Sequence, residues 1–394
     1  MKPLSIAMVA ACPFPANHGT PALIRETSQA IASLGHRVHV VTYPMGKGTP
    51  VEGITVHRAG KILNPRKITV GPTYYRPILD LLVAIRLCRV VWREKIDIIH
   101  AHNYEGALAG YIAKKVTGRP MLYNAVNTMS DELPSYNFIR PRFLAIRLAN
   151  LLDNHVPRMA DYVMAISEEL HEFLLKKGID KSKIALIRAG VNPAMFENKD
   201  GNVMRTRYNI GKRPLVVYTG TLDAFQRIDL LLRAMRIVVE SSHDAVLLMI
   251  GSVINHSDLA KDKQLADEMG IRDNVIFADE HDFEEVPYFL ASADVTVVPR
   301  PSCPGFPIKL LNYMAAAKPI VTFEGSAKGL KHMVNAVVVK DYDWEGFGKG
   351  IVRLLEDPAL AKRLGNNARS TIEGRFDWAT LARQIEGIYR QMVP

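Results

Sequence analysis

The side chains best placed for chemistry gather in the stretch from Asp294 to Val321, DVTVVPRPSCPGFPIKLLNYMAAAKPIV. A β-branched run ends at Val298, and Pro299, Pro301, Pro304, Gly305 and Pro307 forbid regular structure until a helix can begin near Phe306. Leu310, Leu311, Met314 and Ala315 recur at helical spacing and predict a buried face, with Lys309 and Asn312 on or beside the first turn. The first N–H groups of a helix lack helical partners and sit at the positive end of its dipole, so this end suits a phosphate. The alternative is an ordinary βα connection. A second candidate is Asp97-Ile98-Ile99-His100-Ala101-His102, a strand whose period of two puts both histidines on one face, with His102 nearer the carboxyl end. Two histidines without a third ligand do not make a zinc site, and a capped core histidine is the competing reading of His102.

These residues need parallel strands to carry them, and the chain supplies two series. Residues 4–11 read as a buried strand, followed by a loop to Gly19, a helix opened by Thr20 and Pro21 and ended at Gly35, and a second strand. Gly19 thus lies at the carboxyl end of the first strand, where open parallel sheets bind ligands. Further strands are expected at Ile54 to Ala59, Pro120 to Asn124, Tyr162 to Ile166 and Ile184 to Arg188. Between Gly190 and Pro214 periodicity is lost, which predicts a linker over 191–213. A second series starts with PLVVYTGTLDAFQRIDLLLRAMRIVVE, where Leu230, Leu231, Ala234, Met235 and Val238 share one helix face. The chain closes on a helix from about Trp378 to Met392.

At 394 residues, two domains are expected. Cys12, Cys88 and Cys303 are widely spaced, which excludes a disulfide framework and points to packing roles in a reducing compartment. The N-terminal apolar run reads as a strand and not as a signal peptide, and no apolar run approaches the roughly 20 residues of a membrane span. A cytoplasmic protein, soluble or peripheral on the inner face of a membrane, is the expectation. The net charge of +10 is lopsided: residues 1–190 hold 25 Lys and Arg against 14 Asp and Glu, and the remainder 25 against 26. The basic half predicts an anionic partner. Two segments bring arginines and aromatics together for an anionic lipid surface: Arg66 to Lys95, with Tyr74, Tyr75 and Trp92, and Tyr136 to Asn150, with Phe138 and Phe143. No nucleic-acid-binding module is present, so nucleic acid is not an expected partner.

Six local strings, in order, resemble the family 4 glycosyltransferases, retaining sugar transferases of the GT-B fold. They are the loop ending in Gly19, DIIHAH, AISEEL at Ala165 to Leu170, IRAGVNPAMF at Ile187 to Phe196, YTGTLDAFQRIDLLLRA at Tyr218 to Ala234, and GFPIKLLNYMAAAKPIV at Gly305 to Val321. The resemblance implies an α/β fold of two Rossmann-like doubly wound domains facing across a cleft. The acceptor would lie on residues 1–190, to which the helix 378–394 returns, and the nucleotide-sugar on residues 214–377. Three departures stand out. Where the family commonly carries an arginine and a lysine after the strand-end glycine, this chain has Thr221 and Gln226, followed by Arg227; where it has two glutamates, this chain has Pro304 and Asn312; and His18 replaces a loop glycine.

The activity implied is transfer of a hexose from a nucleoside-diphosphate sugar to a hydroxyl of a glycan or lipid-linked acceptor, with retention and without a cofactor or metal. His102 and Gly19 are then the catalytic-side candidates. Gly220, Thr221, Arg227, Gly251, Gly305, Phe306, Pro307, Ile308, Lys309 and Asn312 are the donor-site candidates, with Lys309 and Arg227 replacing the missing cations and Ala278 to Asp282 near the base. The rival is a catalytically silent subunit that binds a nucleotide-sugar or glycan and supports a partner.

Overall fold

The computed structural model describes residues 2–16, 19–46, 51–60, 73–136, 138–254, 256–278, 281, 283–303 and 306–393. The chain forms two compact units, one of residues 1–190 together with 378–394 and one of residues 191–377.

The first unit runs β1 (Ser5–Ala10), α1 (Gly19–Ser33), β2 (Arg37–Thr42), β3 (Ile54–Arg58), α2 (Arg76–Arg93), β4 (Ile98–His102), α3 (Asn103–Thr117), β5 (Met121–Ala125), α4 (Met129–Glu132), α5 (Arg142–His155), β6 (Tyr162–Ala165), α6 (Glu168–Lys176) and β7 (Ile184–Leu186). Its sheet has the order β3-β2-β1-β4-β5-β6-β7, and every pairing is parallel. Each residue of β1, β4 and β5 is buried, as expected of parallel strands covered by helices on both faces. The helix before Gly35 is as the sequence predicts and ends at Ser33, with Gly35 at φ +88° in the turn that follows, although α1 begins at Gly19, so Thr20 and Pro21 lie inside its first turn.

The second unit runs α7 (Asn202–Arg207), β8 (Leu215–Leu222), α8 (Ile228–Ser241), β9 (Val246–Ile254), α9 (His256–Glu268), β10 (Val275–Ala278), α10 (Val286–Ser292), β11 (Val295–Val298), α11 (Ile308–Ala315), β12 (Ile320–Phe323), β13 (Val337–Val339), α12 (Trp344–Glu356) and α13 (Pro358–Ile372). Its parallel sheet has the order β10-β9-β8-β11-β12-β13. All five apolar residues expected on the inner face of α8 are buried, in the core that also holds Val216, Tyr218, Leu247, Val297 and Phe347. The final helix, α14 (Trp378–Met392), belongs to the first unit and packs on α1.

The stretch 191–213 differs from the linker expected there. It carries a 3-10 turn at Pro193–Phe196 and helix α7, and it belongs to the second unit. Arg205 on α7 is the cause: its guanidinium donates to the carbonyls of Ser292, Gly211 and Arg213 and to Asp294 Oδ2 at 2.8 Å. Asp294 in turn accepts from the backbone N–H of Leu215 at 2.8 Å. A charge-assisted network of this kind organises a polar segment that shows no apolar period.

Candidate active site

In both sheets the strand order reverses beside the first strand, between β1 and β4 in the first unit and between β8 and β11 in the second. The crevice at such a switch point is where open α/β sheets take ligands. The candidates fall there.

In the second unit, β8 runs through Gly220 to Leu222, and β9 runs through Gly251 to Ile254, with Gly220 and Gly251 paired in register. Both glycines are strand residues, because ladder pairing persists past them. Gly220 has φ +143°, a value L side chains rarely adopt. A Cβ there would fall 2.5 Å from Lys309 Nζ. The lysine crosses from α11 to this bare backbone, where Nζ donates to Tyr218 Oη at 2.8 Å and to Gln226 Oε1 at 3.1 Å, and lies 4.0 Å from the Tyr218 ring centroid. Tyr218 Oη donates to the Thr221 carbonyl at 2.8 Å, and Gln226 Nε2 to Thr221 Oγ1 at 3.3 Å. Two positions where the resemblance misses a cation, Thr221 and Gln226, are thus tied to the amine that α11 provides. Burial, with a smaller contribution from Arg300, pulls the Lys309 amine down from 10.5 to about 7.

The helix carrying Lys309 begins at Ile308, two residues later than expected, with Pro307 as N-cap and no side-chain cap on its first N–H groups. Leu310, Leu311, Met314 and Ala315 are buried as predicted, and Asn312 joins them at 7% exposure. Phe306 packs its ring 5.9 Å from Phe376. Gly305, Pro304 and most of the segment 278–282 lie outside the described residues, as does His18.

Arg227 is engaged on its own helix. It caps α8 at φ +57°, pairs both Nε and Nη2 with Asp229 at 2.8 Å, and rests its guanidinium 5.3 Å from the Tyr342 ring centroid. A left-handed cap followed two residues later by an aspartate holds the side chain on its own helix start. Asp223 was not anticipated: its Oδ2 is buried and unpartnered among the described residues, and burial raises its carboxyl above the usual range.

In the first unit, His102 ends β4 and occupies the N-cap position of α3, 1% exposed. Its ring stacks on His100 with centroids 4.4 Å apart, which places both on the same face as the strand period predicts. Asn124 on β5 stands 3.1 Å from His102 Nδ1, and His100 Nδ1 stands 2.7 Å from Tyr389 Oη on α14. Burial drives His102 down to about 3, so it is neutral at physiological pH and serves as a hydrogen-bonding group, not a charge. With the Asn124 amide donating to Nδ1, the ring proton sits on Nε2, which has no partner among the described residues. Gly19 opens α1 at φ +45°, and Thr20 beside it reaches Asn103, the residue after His102, at 3.5 Å. Neither Asn124 nor Tyr389 carries a local sequence signal. Among the described residues no group of three or more His, Cys, Asp or Glu is arranged to hold a metal ion.

Two parallel α/β units, each with its polar candidates at a switch point, define the class of two-domain GT-B transferases. The chain belongs to the family 4 glycosyltransferases of that fold: residues 202–371 match the description "Glycosyl transferases group 1" and residues 18–190 match "Glycosyl transferase 4-like domain". It is a glycosyltransferase. It is 24% identical over 373 residues to an uncharacterized glycosyltransferase of Methanocaldococcus jannaschii, spanning 92% of each chain. It is 23% identical over 395 residues to N-acetyl-alpha-D-glucosaminyl L-malate synthase of Bacillus anthracis, spanning 95% of this chain and 90% of that one. Among solved structures, sucrose-phosphate synthase from Thermosynechococcus elongatus superimposes with a TM-score of 0.81 at 20% identity over 99% of both chains. HepE of Anabaena in complex with UDP-glucose does so with a TM-score of 0.76 at 16% identity, covering 98% of this chain and 100% of that one.

Proposed function

We propose that this chain transfers a hexose from a nucleoside-diphosphate sugar to a hydroxyl of a glycan or lipid-linked acceptor, retaining the anomeric configuration. The second unit takes the donor and the first the acceptor. The observation that carries this reading is Lys309, an amine in the first turn of α11 held 3.1 Å from Gln226 at the β8/β11 switch point. A departing diphosphate develops negative charge, and a cation there stabilises it more than the intact bond. Gly220, Thr221, Gly251 and Phe306 to Lys309 form the phosphate wall, and Asn312 answers a ribose hydroxyl. His102 donates from Nε2 to the sugar, while Gly19 leaves room for it. Relatives support the donor class: the HepE structure holds UDP-glucose. The departing phosphate oxygen accepts the acceptor proton on the same face, which needs no nucleophilic carboxylate. The test is incubation of the purified chain with labelled UDP-, GDP-, ADP- and dTDP-sugars, reading diphosphate release and the product anomer by NMR. Release from one donor with the anomer unchanged is expected. Binding without any release favours the silent-subunit reading, and an inverted product refutes retention.

The same reading places the first unit on the cytoplasmic leaflet of an anionic membrane. Helix α5 buries only Ala145, Ala149 and Asp153, and exposes Phe143 (57%), Leu144 and Leu151 (54%) beside Arg142 and Arg147. On α2, Ile78, Leu81, Ile85 and Trp92 are exposed along one stripe beside Arg89 and Arg93. Tyr74 and Phe138 pack with ring centroids 4.6 Å apart, while Arg66 and Lys67 lie outside the described residues. Among the described residues no helix is long and apolar enough to cross a bilayer, so contact would be peripheral. Each basic residue near such a surface contributes about 1 kcal/mol, screened by salt. Vesicle flotation should show binding that needs anionic lipid and weakens with salt; indifference to both refutes it.

A further inference from the structure

Lys309 donates to two oxygens, and neither belongs to an anion. Tyr218 Oη spends its own hydrogen on the Thr221 carbonyl, which leaves its lone pairs for the lysine. Gln226 spends its Nε2 on Thr221 Oγ1, which orients Oε1 at the lysine. An uncharged amine has two hydrogens and one lone pair, so these two acceptors use all of its hydrogens and leave the lone pair over. Among the described residues the groups facing it are few. β8 brings Tyr218, and the following turn brings Gln226 and Asp223. The segment after β11 brings Arg300 and Cys303, with Arg300 lying over the Phe225 ring at 4.9 Å. On α11 itself, the Tyr313 hydroxyl is engaged by Thr219 at 2.8 Å from its N–H and 3.1 Å from its Oγ1. Burial and Arg300 disfavour the ammonium, and Cys303 and Asp223 offset them only in part.

We propose that binding of a nucleoside diphosphate to this unit is coupled to uptake of one proton by Lys309, with Tyr218 and Gln226 as the positioning residues that hold the amine ready. The inference rests on the donor-site reading above and adds to it a proton that the bulk solvent supplies. The lone pair on Nζ takes that proton, and the third N–H so formed points at the phosphate. The diphosphate itself gives up none at pH 8, since the terminal phosphate ionises near pH 6. Affinity then depends on pH by linkage: with the free amine titrating at about 7, binding weakens close to ~10-fold per pH unit above that value, until the bound amine itself deprotonates.

Calorimetric titration with UDP, GDP, ADP and dTDP at pH 8, in two buffers of different ionisation enthalpy, reads the proton directly. The expected uptake is about 0.9 proton per nucleotide bound at pH 8, since roughly nine-tenths of an amine titrating near 7 is neutral there. The amine's uptake should fall to about 0.1 at pH 6, where only about a tenth of it is still neutral. Gln226→Glu puts a carboxylate beside Nζ and keeps it charged, so uptake at pH 8 should vanish while the melting temperature shows the fold intact; unchanged uptake overturns the role of Gln226. Lys309→Met should abolish uptake outright. Binding without uptake in the natural chain, or uptake that survives in Lys309→Met, overturns the coupling and spares the donor site. Binding of none of the four nucleotides overturns both.

Discussion

Glu26→Gln is expected to stabilise the first unit at pH 8 and to do nothing at pH 4.5. Glu26 lies on α1 at 9% exposure and its Oε2 accepts from Trp378 Nε1 at 3.3 Å. Burial pushes its carboxyl up from 4.5 to about 7, against the Trp378 N–H and Arg25, which favour the ion. A carboxyl raised on folding contributes fully below its unfolded value and loses that contribution as pH climbs through the folded one, so the cost of ionising it appears between pH 4.5 and 7. Each pH unit of that interval is worth about 1.4 kcal/mol, which makes the whole cost about 3 kcal/mol. Glutamine keeps an acceptor for Trp378 and has no proton to lose. Urea denaturation followed by tryptophan fluorescence at pH 4.5, 6 and 8 should therefore show a gain of about 1–3 kcal/mol at pH 8 that disappears by pH 4.5. A gain of equal size at every pH would mean that packing, not ionisation, is responsible, and no gain at pH 8 would mean that Glu26 is solvated in solution.

His102→Ala should lower kcat at least ~100-fold with nucleotide affinity unchanged, because a group at the reacting carbon acts on the transition state; normal turnover returns His102 to a packing role. Gly220→Ala should weaken nucleoside-diphosphate binding by about 10-fold or more in calorimetry, since its methyl would fall 2.5 Å from Lys309 Nζ on a backbone at φ +143°; unchanged binding would show that the lysine is not confined as described. Arg227→Gly should leave nucleotide affinity within about 2-fold, because the arginine is engaged by Asp229 and glycine suits its φ of +57°; a large loss would make Arg227 a phosphate ligand after all.

The strands were legible because parallel sheets are covered on both faces, and runs such as Val295 to Val298 then announce themselves by apolar content alone. The pairing of His100 with His102 followed from a period of two. Side-chain direction was not legible. Sequence position put Lys309 in a first helical turn, but a four-carbon stem reaches far, and its resting place depends on a glycine and a tyrosine about ninety residues earlier. The charge of Arg227 is visible in the sequence, whereas the left-handed backbone that sets its pairing with Asp229 is not. The stretch 191–213 read as a linker for a similar reason: Arg205 organises it through carbonyls and Asp294, contacts with no periodic signature. Contacts such as Trp378 with Glu26 and Tyr389 with His100 join residues 352 and 289 positions apart, beyond any local pattern.

The placement of α14 in the first unit has a consequence for the order of events during synthesis. A ribosome finishes β1 to β7 early, but Trp378, Leu381, Ile385 and Tyr389, all buried against that unit, emerge only after residues 191–377 have been made. At roughly 5–20 residues per second, the earlier part waits about 10–40 s with that flank bare. The second unit is contiguous and needs nothing made later, so it can close first and the older part of the chain completes itself last. Shortening the chain before residue 378 would leave Glu26 and His100 without their partners while the whole second unit remains encoded.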